Sequence, residues 1–428
     1  MATLPPPEPL RSDAASKRYE HGRAMLGVDP ETDSIDLVQI DEDTMELNMG
    51  PQHPSTHGVL RLVLDLDGEV VRGCRPDIGF LHSGFEKDFE RHSYQQCIPY
   101  TDRMDYLSPL SNNLGFSLAV ERLLGVEVPP RGQYIRVIMC ELARIASHLI
   151  WYGTSALDLG ATTPFVYAWR EREKILDINE LVSGVRMHTS FIRVGGLLAD
   201  VPDEFYAMVE EVVKTFPHFI DDYETLITGN PIFRERTRGL GVISAEDAIS
   251  YGVTGPTLRG SGVAYDLRKA KPYSSYDHFD FDVPVGEHGD IYDRYLVRMR
   301  EMRESLRIID QAMTHLPSGP VNTTDRRVAL PPRNEINTSM ESLIRHFKLV
   351  TEGFRPPRGT VYEAIESPRG EIGFLIVSDG TNRPYRCKVR APSFSNLSAL
   401  PHMAKGEMLP DLVAVVGSID ILLGDVDR

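Results

Sequence analysis

Two histidines four residues apart, His53 and His57, stand in the nine-residue loop GPQHPSTHG (50–58), with Pro51 and Pro54 between terminal glycines. Proline restricts the backbone at two points and glycine frees it at both ends, so the loop is a stiff tip on permissive hinges. An imidazole, with a reference pKa of about 6.5, can donate, accept or pass on a proton near neutral pH. The spacing is no metal signature. By itself it suits loop histidines bonded to backbone, the commoner outcome, before it suits a ligand contact.

The segment PYTDRMDYLSPLSNN (99–113) gathers Tyr100, Asp102, Arg103, Asp105, Tyr106 and Ser108 between two prolines. A phenol there can donate to a carbonyl oxygen and, with a reference pKa of about 10, gives up its proton only when strongly driven. The plainer assignment is a ring packed on the body of the protein with its hydroxyl on backbone. Asp158, in ALDLGA, is either a helix cap or the carboxylate that orients a histidine. His188, in SGVRMHTSFIRVGG, has Arg186 and Arg193 for neighbours near an expected helix end. A helix C-terminus favours a cation, whereas two arginines push an imidazole toward its neutral, proton-exchanging form. No GxGxxG follows a strand and no P-loop is present, so nucleotide binding is unsupported.

These residues need elements to hold them. The runs MELNM, VLRLVLDL and EVVRGCR read as strands around the first loop, with Asp67-Gly68 as a hairpin signal. QYIRVIMCELARIASHLIWYG, entered through Pro129-Pro130, spaces Ile135, Ile138, Leu142, Ile145 and Leu149 at three and four, which predicts a core helix. Further helices are expected from about Val166 to Met187, over 293–316 and over SMESLIRHFKLV. GTVYEAIE, EIGFLIVSD and YRCKVRAP form a three-stranded meander with turns at Ser367-Pro-Arg-Gly370 and Gly380-Thr-Asn-Arg383. The fold class is therefore α+β: a small N-terminal β unit (35–76), a central helical bundle (77–335) with ordered loops at 252–286, and a C-terminal mixed α+β region with an antiparallel meander (336–428). Residues 1–34 read as a flexible Pro-rich tail lacking the apolar centre of a signal peptide.

The chain has 428 residues, 41% apolar and 25% charged, the balance of a globular protein of about three structural units. Its formal net charge of −16 repels phosphate backbones and argues against nucleic acid as a partner. Four cysteines without a CxxC pair suggest neither a disulfide framework nor a zinc or iron–sulfur site. No run reaches the roughly 18 apolar residues of a membrane helix.

Several blocks together resemble one family: GPQHPSTHGVLRL (50–62), RPDIGFLHSGFEK (75–87), YTDRMDYLS (100–108), ALDLGATTPF (156–165), EREKI (171–175), SGVRMH (183–188), MESLIRHFKLVTEG (340–353), RPYRCKVRAPSF (383–394) and GDVDR (424–428). They are similar to the 49 kDa-type D subunits of the proton-pumping NADH:quinone oxidoreductase, respiratory complex I, a family related to nickel–iron hydrogenase large subunits. The two CxxC pairs that hold nickel in those hydrogenases are missing here, and without thiolates a soft-metal site is excluded. The resemblance implies that the vacated cavity takes quinone as substrate, with His57 and Tyr106 on its two carbonyl oxygens, Asp158 partnering the histidine, and His53 and Ser108 in the pocket loops. It also implies that the electrons come from a 4Fe-4S cluster in the adjacent B subunit, near Arg103 and His188, with no cofactor bound by this chain alone. Ser83 stands where many members carry arginine, so one cation near that cluster is absent. The implied partners are the B, C and I subunits and the membrane H and A subunits. The implied place is peripheral, on the cytoplasmic side of the cell membrane.

The expectation is thus quinone reduction coupled to proton translocation in an NADH-fed complex. Rivals are the same subunit fed by ferredoxin or a deazaflavin, a hydrogenase-like metalloenzyme, and an inert scaffold.

Overall fold

A computed structural model describes residues 35–39, 44–56 and 58–428. The expected N-terminal tail and His57 lie outside the described residues. Strands β1 (Ile35–Gln39), β2 (Thr44–Met49), β3 (Arg61–Asp67) and β4 (Val70–Asp77) form an antiparallel sheet in sequence order. The hairpin between β3 and β4 forms one residue later than the expected turn: Asp67 pairs with Val70, and Gly68, at φ +61°, takes the left-handed position with Glu69 beside it. Leu62, Val63 and Leu64 are all buried, so the middle of β3 is covered on both faces. The edge of β4 is closed by backbone bonds, Val71 N to Glu407 O at 2.9 Å and Gly406 N to Val71 O at 2.8 Å. That contact ties the start of the chain to its last hundred residues and protects the sheet edge.

The helical body contains α1 (Tyr94–Met104), α2 (Pro109–Leu124), α3 (Pro130–Asp158), α4 (Thr162–Ser183), α5 (Glu204–Tyr223) and α6 (Ile291–Thr314). The residues that predict α3 are all buried, and so are Arg136, Glu141, Arg144, Ser147 and His148 on its other sides. This helix is the axis of the molecule, not an amphipathic flank. Helix α4 begins and ends about four residues before the expected limits. Pro164 is tolerated in its first turn, and Gly184, at φ +77°, ends it in a left-handed cap. The two-stranded β5 (Ile192–Arg193) and β6 (Gly196–Leu197) follow. The expected loop insertion contains only short turns of helix, Pro256–Gly260, Leu267–Ala270 and Tyr276–His278.

The C-terminal part opens with α7 (Met340–Thr351), whose N-cap Ser339 accepts from Ser342 N at 3.3 Å. The predicted meander is present as β7 (Gly359–Ser367), β8 (Gly370–Ser378) and β9 (Arg386–Arg390), all antiparallel. Helices α8 (Pro392–Leu397), α9 (Leu409–Ile419) and α10 (Leu423–Asp427) follow. Their apolar side chains share a core with Leu62, Leu64 and Leu66 of β3. The fold is mixed α and β with small antiparallel sheets.

Candidate functional site

The loop between β2 and β3 is fastened from within. Thr56 Oγ1 donates to Pro51 O (3.2 Å) and His53 O (3.0 Å), closing the 3-10 turn Pro54–Thr56. Gly50, at φ +90°, packs so closely that a Cβ there would lie 2.2 Å from Leu60 O, so only glycine fits. His53 is half-buried and its Nδ1 accepts from Ser55 N at 3.2 Å, the backbone-bonded outcome that loop histidines commonly reach. The 3-10 turn rests against α9.

Asp158 is the last residue of α3, not a residue past it, and its Oδ2 lies 3.5 Å from the Cβ position of Gly417 in α9. It stands at the rim of a largely apolar cleft lined by Trp151, Tyr152, Phe233, Tyr295, Val413 and Gly417. The residue is exposed, yet enough protein packs around the carboxyl to push it up to about 6. Among the described residues it has no hydrogen-bond or ion-pair partner. The wall behind it is fixed by Trp151, whose Nε1 donates to Gly417 O at 2.8 Å, and by the Arg298 guanidinium, 4.3 Å from the indole centroid.

Tyr106 follows the end of α1 and is half-buried. Gly424 of α10 presses on it: a Cβ at 424 would sit 3.3 Å from Tyr106 Cε1 and 2.6 Å from Met104 O. Burial pushes the phenol above its ordinary range, with Arg369 opposing the shift and Asp105 adding to it. Its hydroxyl has no partner among the described residues. Ser108 lies close in sequence but is fully buried, its Oγ paired with Ser111 Oγ at 2.8 Å at the start of α2.

Behind Tyr106 is a cluster that sequence reasoning missed. Asp105 accepts from Leu107 N and Ser108 N (both 3.1 Å) and from Arg369 Nη1 (2.9 Å to Oδ2). Arg369 also reaches Asp420 through Nη2 (3.1 Å to Oδ1) and Nε (3.0 Å to O), and Ser147 Oγ at 3.1 Å. Asp425 is fully buried nearby; its Oδ2 accepts from Ser393 N at 2.9 Å and its Oδ1 has no partner. Burial pushes Asp420 up, and Asp425 up to about 6. The available signal was two aspartates inside an apolar C-terminal run.

Arg103 and His188 meet across Asp102. His188 Nδ1 bonds Asp102 O at 3.0 Å, and Arg103, the next residue, is exposed with Nη1 on Pro99 O at 2.5 Å. Asp102 is buried, accepts from Ser190 Oγ at 2.5 Å and is raised by desolvation. His188 does not lie at a helix end: α4 stops at Ser183, and His188 takes a left-handed backbone, φ +54°. Arg186 turns away from it to an ion pair with Glu173. Ser83 is exposed and bonds Leu81 O at 3.1 Å. Loop 79–81 is held by Asp427, whose carboxylate accepts from Gly79 N (2.9 Å) and Leu81 N (2.7 Å).

Residues 158–428 match the family model described as the respiratory-chain NADH dehydrogenase 49 kDa subunit. Curated relatives match over nearly the whole chain. The NADH-quinone oxidoreductase D subunit numbered 2 in Chloroflexus aurantiacus is 59% identical over 389 residues, covering 90% of this chain and 95% of its own length. The D subunit of the same oxidoreductase in Geotalea uraniireducens is 57% identical and that in Geobacter sulfurreducens 56%, each covering 90% of this chain and 99% of its own length.

Proposed function

The chain belongs to the 49 kDa subunit family of respiratory-chain NADH dehydrogenase, and we propose that it forms the quinone-reducing pocket of such an oxidoreductase. The observation that carries this reading is one segment, α9 to α10. The 3-10 turn of the histidine loop rests on α9, Asp158 packs on Gly417 of α9, and Tyr106 packs on Gly424 of α10. Tyr106, Asp158 and the turn that follows His53, remote in sequence, are therefore all referred to one support.

In this reading the Tyr106 phenol donates to one quinone oxygen and His57 to the other, with Asp158 favouring the charged imidazole. Two added electrons build negative charge on both oxygens, and donors aimed at them stabilise the reduced form more than the oxidised one. Each donor can then deliver a proton, so that two electrons and two protons yield the quinol. Tyr106 suits the task because its hydroxyl is unengaged and its proton is held until charge develops nearby.

Electrons enter from a 4Fe-4S cluster in a neighbouring subunit on the side of Arg103 and His188, and proton translocation belongs to the assembled complex. Among the described residues no helix is long and apolar enough to cross a membrane, which fits a peripheral place beside membrane subunits. An exposed apolar stripe on α7, Met340, Leu343, Ile344, Phe347 and Val350, fits cover by another subunit.

The test compares membranes carrying Tyr106→Phe in quinone reduction and in reduction of an artificial acceptor that takes electrons upstream. The expected result is a fall of about tenfold in quinone reduction, about 1.4 kcal/mol of transition-state stabilisation, with the artificial assay preserved. Unaltered quinone reduction in both Tyr106→Phe and His57→Ala would sink the assignment.

A further inference from the structure

Resting on the pocket reading above, we propose that Arg369 is a positioning residue for Tyr106. Its guanidinium joins the turn that carries the phenol to the α9–α10 segment that walls it, and so aims the hydroxyl at the substrate oxygen. Arg369 acts through Asp105 and Asp420 and exchanges no proton itself.

Tyr106 needs such a brace because nothing holds its tip. The hydroxyl has no hydrogen-bond partner among the described residues, so the direction of the ring depends on its backbone and on what touches the ring. The backbone is wrapped by the residue before it. Asp105 Oδ1 accepts from Leu107 N and Ser108 N, both at 3.1 Å, and Ser108 N also reaches Asp105 O at 3.2 Å, so the chain turns through Tyr106 around one carboxylate. That carboxylate is turned in its place by Arg369 Nη1, 3.1 Å from Oδ1 and 2.9 Å from Oδ2.

From the other side the ring is met by Gly424, where a Cβ would lie 3.3 Å from Cε1. Gly424 follows closely on Asp420, and the same guanidinium holds that residue: Nε donates to Asp420 O at 3.0 Å and Nη2 to Oδ1 at 3.1 Å. Asp420 ends α9 in a left-handed backbone, φ +57°, which a residue with a side chain keeps only when its surroundings fix it. Nη1 also donates to Ser147 Oγ at 3.1 Å, tying the brace to α3. The arginine is anchored in turn, its N donating to Ser367 Oγ (3.3 Å) and its O accepting from Asn396 Nδ2 (3.1 Å). Arg369 is fully buried, and one rigid planar fork spans these supports; a lysine ammonium, a single point of charge, cannot. Arg369 and Asp105 are also the two charges that act on the Tyr106 titration, which places both near the phenol.

The experiment is a double-variant cycle in membranes holding the whole complex: kcat and KM for quinone reduction in wild type, Arg369→Lys, Tyr106→Phe and the two combined. Upstream reduction of an artificial acceptor reads assembly. Arg369→Lys is expected to assemble and to lower kcat about fivefold with KM within about twofold, since the fork governs the aim of the donor in the transition state and not the uptake of substrate. Once the hydroxyl is gone there is nothing left to aim, so the combined variant should keep the Tyr106→Phe rate. Multiplied losses, about fiftyfold in the combined variant, overturn the proposal, because a brace that serves only the fold would act with or without the hydroxyl. An Arg369→Lys complex with wild-type kcat overturns it too. If Arg369→Lys does not assemble, Asp105→Asn decides, since it keeps an oxygen for Leu107 N and Ser108 N but loses the ion pair. A loss of kcat that vanishes in the Tyr106→Phe background supports the brace, and a multiplied loss or none at all overturns it. A Tyr106→Phe variant with full quinone reduction removes the pocket reading itself. Loss in Tyr106→Phe beside an unaltered Arg369→Lys removes only the role of Arg369.

Discussion

Two clusters of buried charge are attached to the same helix, α3, and they are built differently. The first gathers Glu141, Arg144, Arg259, Asp266, Arg268, Glu301 and Glu366. There Arg268 reaches Asp266 (2.6 Å) and Glu141 (3.1 Å), while Arg259 reaches Glu301 and Glu366 (2.7 Å each). The second, met at Ser147 one turn further on, is centred on Arg369 with Asp105, Asp420 and Asp425. In the first, every carboxylate touches a guanidinium. Asp266 is accordingly held down to about 2, Glu141 and Glu301 are lowered, and only Glu366, sharing Arg259, is raised by burial. In the second, Asp425 touches none. A guanidinium contact therefore opposes burial without always overcoming it, since Glu366 and Asp420 are raised although paired; Asp425, which touches no guanidinium, is pushed up to about 6, and it adjoins Gly424, which packs on Tyr106.

The largest way to break the comparison is Arg259→Met. It strands Glu301 and Glu366 without their cation, and a loss of about 3–5 kcal/mol is expected, read as a collapse in assembled complex and in the thermal inactivation midpoint. A variant as stable as wild type would mean that the first cluster is not held by these pairs. Next comes Asp425→Asn, read as stability against pH. Because the folded pKa, about 6, lies above the ordinary aspartate value of 3.8, the folded state binds more protons between those values. Stability then falls as pH rises through that window and stays level above it, a cost on the order of 3 kcal/mol that asparagine avoids. The variant's thermal midpoint should exceed that of wild type at pH 7 and converge with it at pH 4; parallel curves would remove the contrast. Smaller again, Trp151→Phe removes one of two donors to Gly417 O, the Asp420 N–H at 3.2 Å remaining, a loss of about 1 kcal/mol seen as a lower midpoint. Least of all, Lys214→Ala on the exposed face of α5 should leave the midpoint where it is, since the Glu210 pair is fully solvated.

Much of this architecture is legible in the sequence, because local patterning dictates it. The alternation of β3, β7 and β8 and the three-four spacing of α3 and α6 place those elements within a few residues. Helix α4 is shifted from its expected limits because Gly184, a left-handed cap, outranks the apolar pattern that continues past it. Tyr106 and Asp158 are visible as candidates by residue type, but their common footing on α9 and α10 is tertiary. Arg369 shows the limit most clearly. Ser367-Pro-Arg-Gly370 reads as a turn and is one, yet its arginine points inward to partners 51 and 264 residues away in the chain. No periodicity encodes such a contact. The polar residues of α3 are likewise invisible as core, since their partners come from elsewhere in the chain, Arg268 for Glu141 and Glu301 for His148.

The guanidinium of Arg298, stacked on Trp151, has a further consequence for whatever occupies the cleft. Burial lowers its pKa to about 10, so it stays charged through the physiological range, and among the described residues no carboxylate lies within ion-pair distance of it. The indole it stacks on lines the apolar cleft, whose low polarity screens the charge weakly. Asp420 and Glu301, the acids that act on Arg298, offset part of its charge, and Asp158 at the rim adds a negative charge once it ionises near pH 6. The Arg298 charge itself is constant across the physiological range, so the pH dependence of the potential in the cleft comes from Asp158 at its rim and not from the guanidinium.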